Sequence, residues 1–178
     1  MLGPTIETAR LILRPPEERD LDGFAEMMAD EDAARFVGGV QGRAGAWRGM
    51  AAMAGSWALR GYGMFSVIEK SSGRWIGRLG PWQPEGWPGA EIGWGLTPSA
   101  WGKGYATEGA EAAIDWAVDH LGWDDVIHCI AAENTPSARV AERLGSSHRG
   151  NGWLPAPFDS APVDIWGQSA AHWRTRRR

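Results

Sequence analysis

The sequence predicts a single α/β (α+β) domain with a mixed sheet over residues 1–178. Apolar residues follow a helical spacing up to Arg60, and from Tyr62 onward they alternate as in strands. Further along, a helical pattern lies between two short apolar runs. A strand–helix–strand order of this length favours parallel pairing of the two strands.

The first third of the chain predicts one strand followed by helices. Over residues 8–14, Leu11 and Leu13 share one face, which indicates a strand with one buried face that ends before Pro15. Apolar stripes at spacings of three and four then predict three helices, over residues 17–29, 32–37 and 43–60.

The middle of the chain predicts an antiparallel meander of three strands. Residues 62–69 and 74–82 form two strands joined by the turn Ser71-Ser72-Gly73, and residues 90–96 form the third. On the third strand, Glu91, Gly93 and Gly95 share one face.

The last part predicts a parallel strand and two more helices. Residues 106–121 form a helix, and residues 126–132 form a strand covered on both faces, in which we interpret His128 as a satisfied core histidine and Cys129 as buried packing. Thr135 is the expected N-cap of a helix that stops at Gly145. Residues 151–162 predict a loop and residues 163–168 a final strand.

The stretch Trp101-Gly102-Lys103-Gly104-Tyr105-Ala106-Thr107-Glu108 joins the third meander strand to the next helix. A strand, a glycine loop and a helix N-terminus in this order can cradle an anion, because the N–H groups point at the ligand and the helix dipole adds roughly half a positive charge. Gly102 and Gly104 permit the tight turn, and Lys103 could add a charge. Taken alone, the motif is explained equally well as a simple turn.

Composition excludes several classes of function. The net charge of −4 argues against a general nucleic-acid-binding protein, and a single cysteine fits a reducing compartment. The N-terminus lacks a signal-peptide pattern and no long apolar window occurs, so we expect a cytoplasmic protein with no membrane partner. We predict no metal site. We interpret the basic cluster at the C-terminus as a frayed, solvated end: Arg174, Arg176, Arg177 and Arg178.

Three segments resemble the GNAT N-acetyltransferases. Two look like their acyl-CoA-binding motifs: Glu91-Ile92-Gly93-Trp94-Gly95-Leu96 with the 101–108 stretch, and Asn134-Thr135-Pro136-Ser137-Ala138-Arg139-Val140-Ala141-Glu142-Arg143-Leu144-Gly145. The third, Thr8-Ala9-Arg10-Leu11-Ile12-Leu13-Arg14-Pro15, is similar to the first strand of the branch that includes the ribosomal-protein N-terminal (alanine/serine) acetyltransferases. Two motifs in the right order make the resemblance strong.

The resemblance implies a GNAT-like, mostly antiparallel sheet with a central V-shaped splay and helices on both faces. It also implies acetyl-CoA as co-substrate, with its pantetheine arm in the splay between residues 91–96 and 126–132. Asn134 would reach the pantetheine amides, although it could instead serve only as a helix-entry residue. The implied cofactor-binding residues are Gly93, Trp94, Gly95, Leu96, Trp101, Gly102, Lys103, Gly104, Tyr105, Ala106, Thr107, Asn134 and Ser137.

The implied reaction is direct attack of a primary amine on the thioester in a ternary complex, with a base to take the proton of the amine. Glu91 and Asp164 are candidate bases, because both lie on strands that could face the acceptor cleft. Either could instead pair with Arg10 or Arg14. The tyrosine common in the family after Asn134 is missing; Ser137 is the alternative acid, and a helix-start role explains it equally well.

The acceptor remains open between a small-molecule amine and a peptide N-terminus. Five tryptophans are candidates for an aromatic acceptor pocket, or for core and dimer-interface positions that leave a homodimer as an option: Trp47, Trp57, Trp82, Trp87 and Trp153. Three function classes follow, namely an acetyltransferase, a catalytically weakened GNAT that senses acyl-CoA, and a P-loop-like nucleotide-binding domain. The third is disfavoured because no Gly-Lys-Ser/Thr sequence closes the loop.

Overall fold

The computed structural model describes residues 2–177, and within them eight strands form one sheet in the order β1-β2-β3-β4-β5-β6-β8-β7. The strands are β1 (Ile6–Glu7), β2 (Leu11–Arg14), β3 (Phe65–Glu69), β4 (Trp75–Trp82), β5 (Glu91–Leu96), β6 (Asp125–Ile130), β7 (Ser147–Gly152) and β8 (Val163–Ser169). Neighbouring strands pair antiparallel except β5 and β6, which pair parallel. The predicted mixed, mostly antiparallel sheet is confirmed.

The same residues form six α-helices that cover both faces of the sheet. They are α1 (Leu21–Ala29), α2 (Glu31–Ala34), α3 (Arg43–Arg60), α4 (Tyr105–His120), α5 (Thr135–Arg143) and α6 (Ala170–Arg176). Ile92 and Leu96 of β5 belong to the core cluster under α4, whereas the alternate positions Gly93 and Gly95 face Met64 and Val37 on the side of α1 and α3.

The predicted V-shaped splay lies between β5 and β6. The two strands pair in register only at Glu91 and Ile127, where Ile127 N donates to Ala90 O at 2.9 Å. One position further along, a ring nitrogen of His128 lies 2.7 Å from Ile92 O, so a side chain takes the place of the next ladder bond. Beyond this point the edge of β5 over residues 93–96 turns away from β6.

Three elements were missed from the sequence, namely the two-residue strand β1, strand β7 and helix α6, and one interpretation was wrong. Strand β7 has an irregular register against β8 and mostly exposed polar residues, so no alternation marks it. The basic C-terminal residues up to Arg177 are not frayed. Arg174 and Arg176 lie on α6, whose Trp173 is buried, and Arg177, which follows the helix, pairs with Asp115 at 2.9 Å. Arg178 lies outside the described residues.

The helix entries also differ from prediction in detail. The predicted helix over residues 17–29 consists of a 3₁₀ turn, Glu18–Asp20, followed by α1. Asn134, not Thr135, is the N-cap of α5, because its side-chain oxygen accepts from Ser137 N at 3.2 Å.

Candidate functional site

A cavity of about 300 Å³ lies where β5 and β6 diverge, and it is lined from both sides of the splay. We call the part lined by Phe24, Met28, Met53, Met64, Arg78 and Glu91 the acceptor end. We call the edge of β5 over residues 93–96, the loop over residues 101–107, Asn134 and Ser137 the donor end. Gly93, Trp94, Asn134 and Ser137 of the donor end also line the cavity, so the two ends meet inside it.

The loop of the donor end presents backbone rather than side chains. Gly102 and Gly104 have φ angles of +72° and +79°, in the left-handed region that favours glycine. Gly104 is the N-cap of α4 and has no side chain to cover the first N–H groups of the helix. These groups have no partner within the helix, so they can bind an anion. The loop is thus a tight turn that leaves the first N–H groups of α4 open, as an anion cradle would require.

Arg10 and Glu108 hold this loop in place. Arg10 Nη1 donates to Lys103 O at 2.9 Å, and Arg10 Nε donates to Glu108 Oε2 at 2.6 Å. Thr8 Oγ1 also donates to Glu108, at 2.6 Å. In a trans peptide the C=O and the following N–H point in opposite directions, so anchoring Lys103 O turns Gly104 N–H away from Arg10.

Two aromatic residues of the loop fix it to the sheet. Tyr105 is buried and donates its hydroxyl to Glu69 Oε1 at 2.6 Å, so only its backbone is available to a ligand. Trp101 Nε1 donates to Leu96 O at 2.9 Å and ties the loop to the end of β5.

Trp94, Ser137 and Asn134 link the two sides of the splay. Trp94 Nε1 donates to Ser137 Oγ at 3.2 Å, and the Trp94 ring lies 4.9 Å from the ring of His128. The Asn134 oxygen is engaged by the α5 cap, which leaves its NH₂ group for a ligand. The two roles considered for Asn134 are thus compatible in one side chain.

Glu91 is the buried carboxyl group of the acceptor end, with an exposed fraction of 6%. Its Oε2 accepts from Trp87 Nε1 at 2.5 Å and its Oε1 accepts from Cys129 N at 3.1 Å. Burial raises the pKa of Glu91 to about 7, and the hydrogen bonds only partly oppose this rise. A carboxyl group with this pKa can exchange protons near neutral pH.

Other titratable groups near the cavity are fixed in one protonation state at neutral pH. Burial raises the pKa of the Cys129 thiol, which therefore stays protonated and serves packing. Burial lowers the pKa of His128 to about 4, and its ring nitrogens contact Ile92 O and Ser146 Oγ. Its interpretation as a satisfied core histidine is confirmed.

Asp164 does not share this site. Its Oδ1 accepts from Asn151 Nδ2 at 2.8 Å and lies 3.3 Å from His148 Nε2, on the part of β8 that faces β7. The alternative partners expected for Glu91 and Asp164 are also taken, because Arg10 pairs with Glu108 and Arg14 pairs with Asp20.

The cavity uses two of the five candidate tryptophans and several residues that the sequence did not single out. Trp82 and Trp87 line it. Trp57 is buried in the core, while Trp47 and Trp153 are 48% and 61% exposed. The apolar wall comes from Phe24, Met28 and Met53 on helices whose stripes looked like ordinary core.

Among residues 2–177, no group of three or more His, Cys, Asp and Glu side chains could hold a metal ion. No helix in this part of the chain has both the length and the apolarity needed to cross a membrane.

Comparison with known proteins places this geometry in context. The profile of the Acetyltransferase (GNAT) domain family matches residues 10–147. The uncharacterized N-acetyltransferase p20 of Bacillus licheniformis is 30% identical over 149 residues, which cover 82% of this chain and 84% of the relative.

Solved structures show the same fold. An acetyltransferase from Agrobacterium tumefaciens superposes with a TM-score of 0.82 at 28% identity, covering 93% of this chain and 94% of that chain. RimL, a ribosomal alpha-N-protein acetyltransferase solved in complex with coenzyme A, has a TM-score of 0.75 at 17% identity, covering 93% and 98% of the two chains.

Proposed function

The chain belongs to the GNAT family of acetyltransferases, and we propose that it transfers an acetyl group from acetyl-CoA to a primary amine by direct attack in a ternary complex. One observation carries the proposal. The cavity passes through the splay, so that Glu91 lies at its acceptor end while Asn134 and Ser137 lie at its donor end. A thioester and an amine that enter from opposite sides can therefore meet between the two ends of the cavity.

The donor end fits coenzyme A in three respects. The N–H groups at the start of α4 and Gly102–Gly104 backbone suit the pyrophosphate, and exposed Lys103 adds positive charge nearby. The edge of β5 beyond Ile92 can hydrogen-bond the amide-rich pantetheine arm. The Asn134 NH₂ group faces that arm from α5. Of the implied binding residues, Tyr105 contributes through its backbone alone.

The chain's own residues supply the acid–base chemistry. Glu91, as the carboxylate, takes a proton from the attacking amine, either directly or through one water. A backbone N–H of residues 93–96 stabilises the charge that develops on the carbonyl oxygen, a contribution of about 3 kcal/mol for a comparable donor. Ser137 Oγ, which accepts from Trp94, then gives its proton to the leaving thiolate while a water reprotonates the hydroxyl, and Glu91 returns the proton of the amine to the solvent.

An acyl-CoA sensor with little catalytic activity is the second candidate. The observation that favours it is the position of the two tyrosines. Tyr105 is bonded to Glu69, and Tyr62 packs on Trp123 with ring centroids 5.4 Å apart, so neither replaces the acid common in the family.

One set of measurements separates these functions. The melting temperature is measured with and without CoA, and free thiol is followed with acetyl-CoA and a panel of amines and peptide N-termini. An acetyltransferase gives a CoA-dependent rise in melting temperature and amine-dependent thiol release. A sensor gives the rise alone. No rise at millimolar CoA contradicts both functions.

A further inference from the structure

Arg78 is partly buried, and no carboxylate of the described residues pairs with its charge. It lies on β4 opposite Gly95 of β5 and lines the acceptor end of the cavity. Its guanidinium donates to Met64 Sδ, and a thioether is a weak acceptor. Among the described residues, no Asp or Glu oxygen lies within 4.0 Å of its nitrogens. Removal from water lowers the pKa of Arg78, and Glu91 only partly offsets this.

A guanidinium in this position normally has acceptors for its planar set of five N–H donors. Four other arginines donate to, or form ion pairs with, carboxylates: Arg10, Arg14, Arg149 and Arg177. Arg78 differs because the space beside it is cavity.

Between Arg78 and Glu91, the surface of the sheet consists of glycine residues. Both side chains project on the same face of the sheet as Gly93 and Gly95. A Cβ on Gly93 would lie 2.9 Å from Met64 Cε and 3.3 Å from Glu91 Oε1. Met64 also contacts Arg78. The end of Met64 and Glu91 Oε1 therefore close the space directly above Gly93, and a small group bound between Glu91 and Arg78 has to lie beyond Met64, on the cavity side.

The remaining walls of the acceptor end are apolar. Phe24, Met28 and Met53 are 4%, 2% and 5% exposed, and they line the cavity together with Trp82. Methionine side chains adapt their shape to an apolar ligand, and an aromatic edge supports it. The acceptor end thus combines one basic group, one proton acceptor and an apolar pocket.

We propose that the acceptor is a free α-amino acid with a large apolar side chain, and that Arg78 binds its carboxylate. This inference rests on the proposed acetyl transfer and names its substrate class. The fork of Arg78 matches a carboxylate in a bidentate pair, which leaves the α-amine on the side of Glu91. A peptide N-terminus offers a neutral amide at this position, whose single carbonyl oxygen accepts from the guanidinium without balancing its charge.

The test compares acceptors that differ only in the carboxylate. Phenylalanine, methionine and leucine are each paired with the corresponding decarboxylated amine, and phenylalanyl-alanine amide represents a peptide N-terminus. For the wild type we expect kcat/KM from thiol release to favour each amino acid by about tenfold or more over both analogues. The same compounds are tested for their effect on the melting temperature with CoA present, so that binding is measured even without turnover.

Arg78→Met is the matched variant, since an unbranched apolar side chain can pack against Met64. We expect it to abolish the preference, measured as the ratio of kcat/KM for each amino acid to that for its decarboxylated amine, while the melting-temperature response to CoA stays that of the wild type. Arg78→Lys keeps the charge without the fork and should retain only part of the preference. Arg19→Met, at a site that is 72% exposed, is the control and should change nothing.

Three results would overturn the inference. They are equal use of amino acids and decarboxylated amines by the wild type, equal use of the peptide N-terminus, or an Arg78→Met variant that keeps the preference. Failure of the proposed function looks different, because then neither CoA nor any amine gives a response.

Discussion

The donor end of the site is built mostly from backbone groups of residues 93–107, to which the side chains of Asn134 and Ser137 are added, whereas the acceptor end is built from side chains of distant segments. Residues 101–107 and the edge of β5 present N–H and C=O groups that any side chains in the same conformation would present. The acceptor end brings Phe24, Met53 and Arg78 together from α1, α3 and β4. The first arrangement suits a ligand that all members of a family share, and the second suits a ligand that differs among them.

This difference predicts a division of labour. Changes to the loop of the donor end should alter the affinity for CoA, because the pyrophosphate is proposed to bind there, whereas loss of the Ser137 hydroxyl, which is proposed to transfer a proton, should alter turnover. Changes at the acceptor end should alter turnover and acceptor choice and leave CoA affinity unchanged. Each kinetic or CoA-binding prediction below tests one side of this division, and the expected changes in kcat or Kd decrease from the first to the last.

Glu91→Gln should have the largest effect. Removing a general base costs about a hundredfold or more in turnover, so kcat should fall by that factor while CoA affinity stays within twofold. In the wild type, kcat/KM should rise with pH through about 7, where Glu91 loses its proton, and the variant should lack this limb. Steady-state kinetics between pH 5.5 and 8.5 check both.

Asp164→Asn is the matched control for this variant, because Asp164 lies outside the cavity and bonds to Asn151. It should retain wild-type turnover and the same pH profile. A loss as large as that of Glu91→Gln would instead return Asp164 to the role of base.

Ser137→Ala should lower kcat by about tenfold or more, because it removes the hydroxyl that protonates the thiolate. The Kd for CoA should change little, since Ser137 N still donates to Asn134 Oδ1. Presteady-state and steady-state thiol release give the measurement. Unchanged kinetics would show that Ser137 only begins α5.

Gly102→Val should weaken CoA binding by about tenfold. A β-branched residue at φ +72° costs on the order of 1–2 kcal/mol and shifts the loop amides. Gly122→Val is the control: its φ is +69°, both sites have no atom within 4 Å of a new Cβ, and Gly122 lies beyond the other end of α4. Titration calorimetry with CoA should separate the two. Equal weakening in both variants would mean that strain, not the cradle, is responsible.

Arg10→Gln should raise the Kd for CoA by about threefold. Arg10 is about half exposed, and an exposed ion pair stabilises by about 0–1 kcal/mol, so losing its bond to Lys103 O should loosen the loop without unfolding it. Arg177→Gln breaks a comparable pair with Asp115, which lies on α4 as Glu108 does but further from the loop. That variant should bind CoA as the wild type does, and a matching loss would contradict the role of Arg10.

The same contrast explains what the sequence could predict. The glycines at 102 and 104, and Asn134 followed by Pro136, are local signals, because each sets the conformation of its own few residues. Arg78 and Met64 carry no such signal: their meeting depends on the register of β4 against β5 and on the path of α3. Asp164 was selected for its residue type and strand, but its bond to Asn151 depends on β7, whose polar sequence gave no strand pattern.

In the wild type, the free energy of unfolding should depend little on Glu91 and His128 together between pH 4.5 and 6.5, because these two buried groups act in opposite directions. The pKa of Glu91 rises from 4.5 to about 7 on folding, so its contribution is present below pH 4.5 and is lost as the pH rises to 7. The pKa of His128 falls from 6.5 to about 4, so its contribution is present above pH 6.5 and is lost as the pH falls to 4. Each shift corresponds to about 3 kcal/mol, and the two nearly cancel between pH 4.5 and 6.5.

Glu91→Gln removes the contribution of Glu91 and leaves that of His128. The free energy of unfolding of the variant, relative to that of the wild type, should therefore rise by about 3 kcal/mol as the pH rises from 4.5 to 7. Urea unfolding at pH 4.5, 5.5 and 7 measures this difference, and a difference that stays constant with pH would show that Glu91 is not buried as a titrating group.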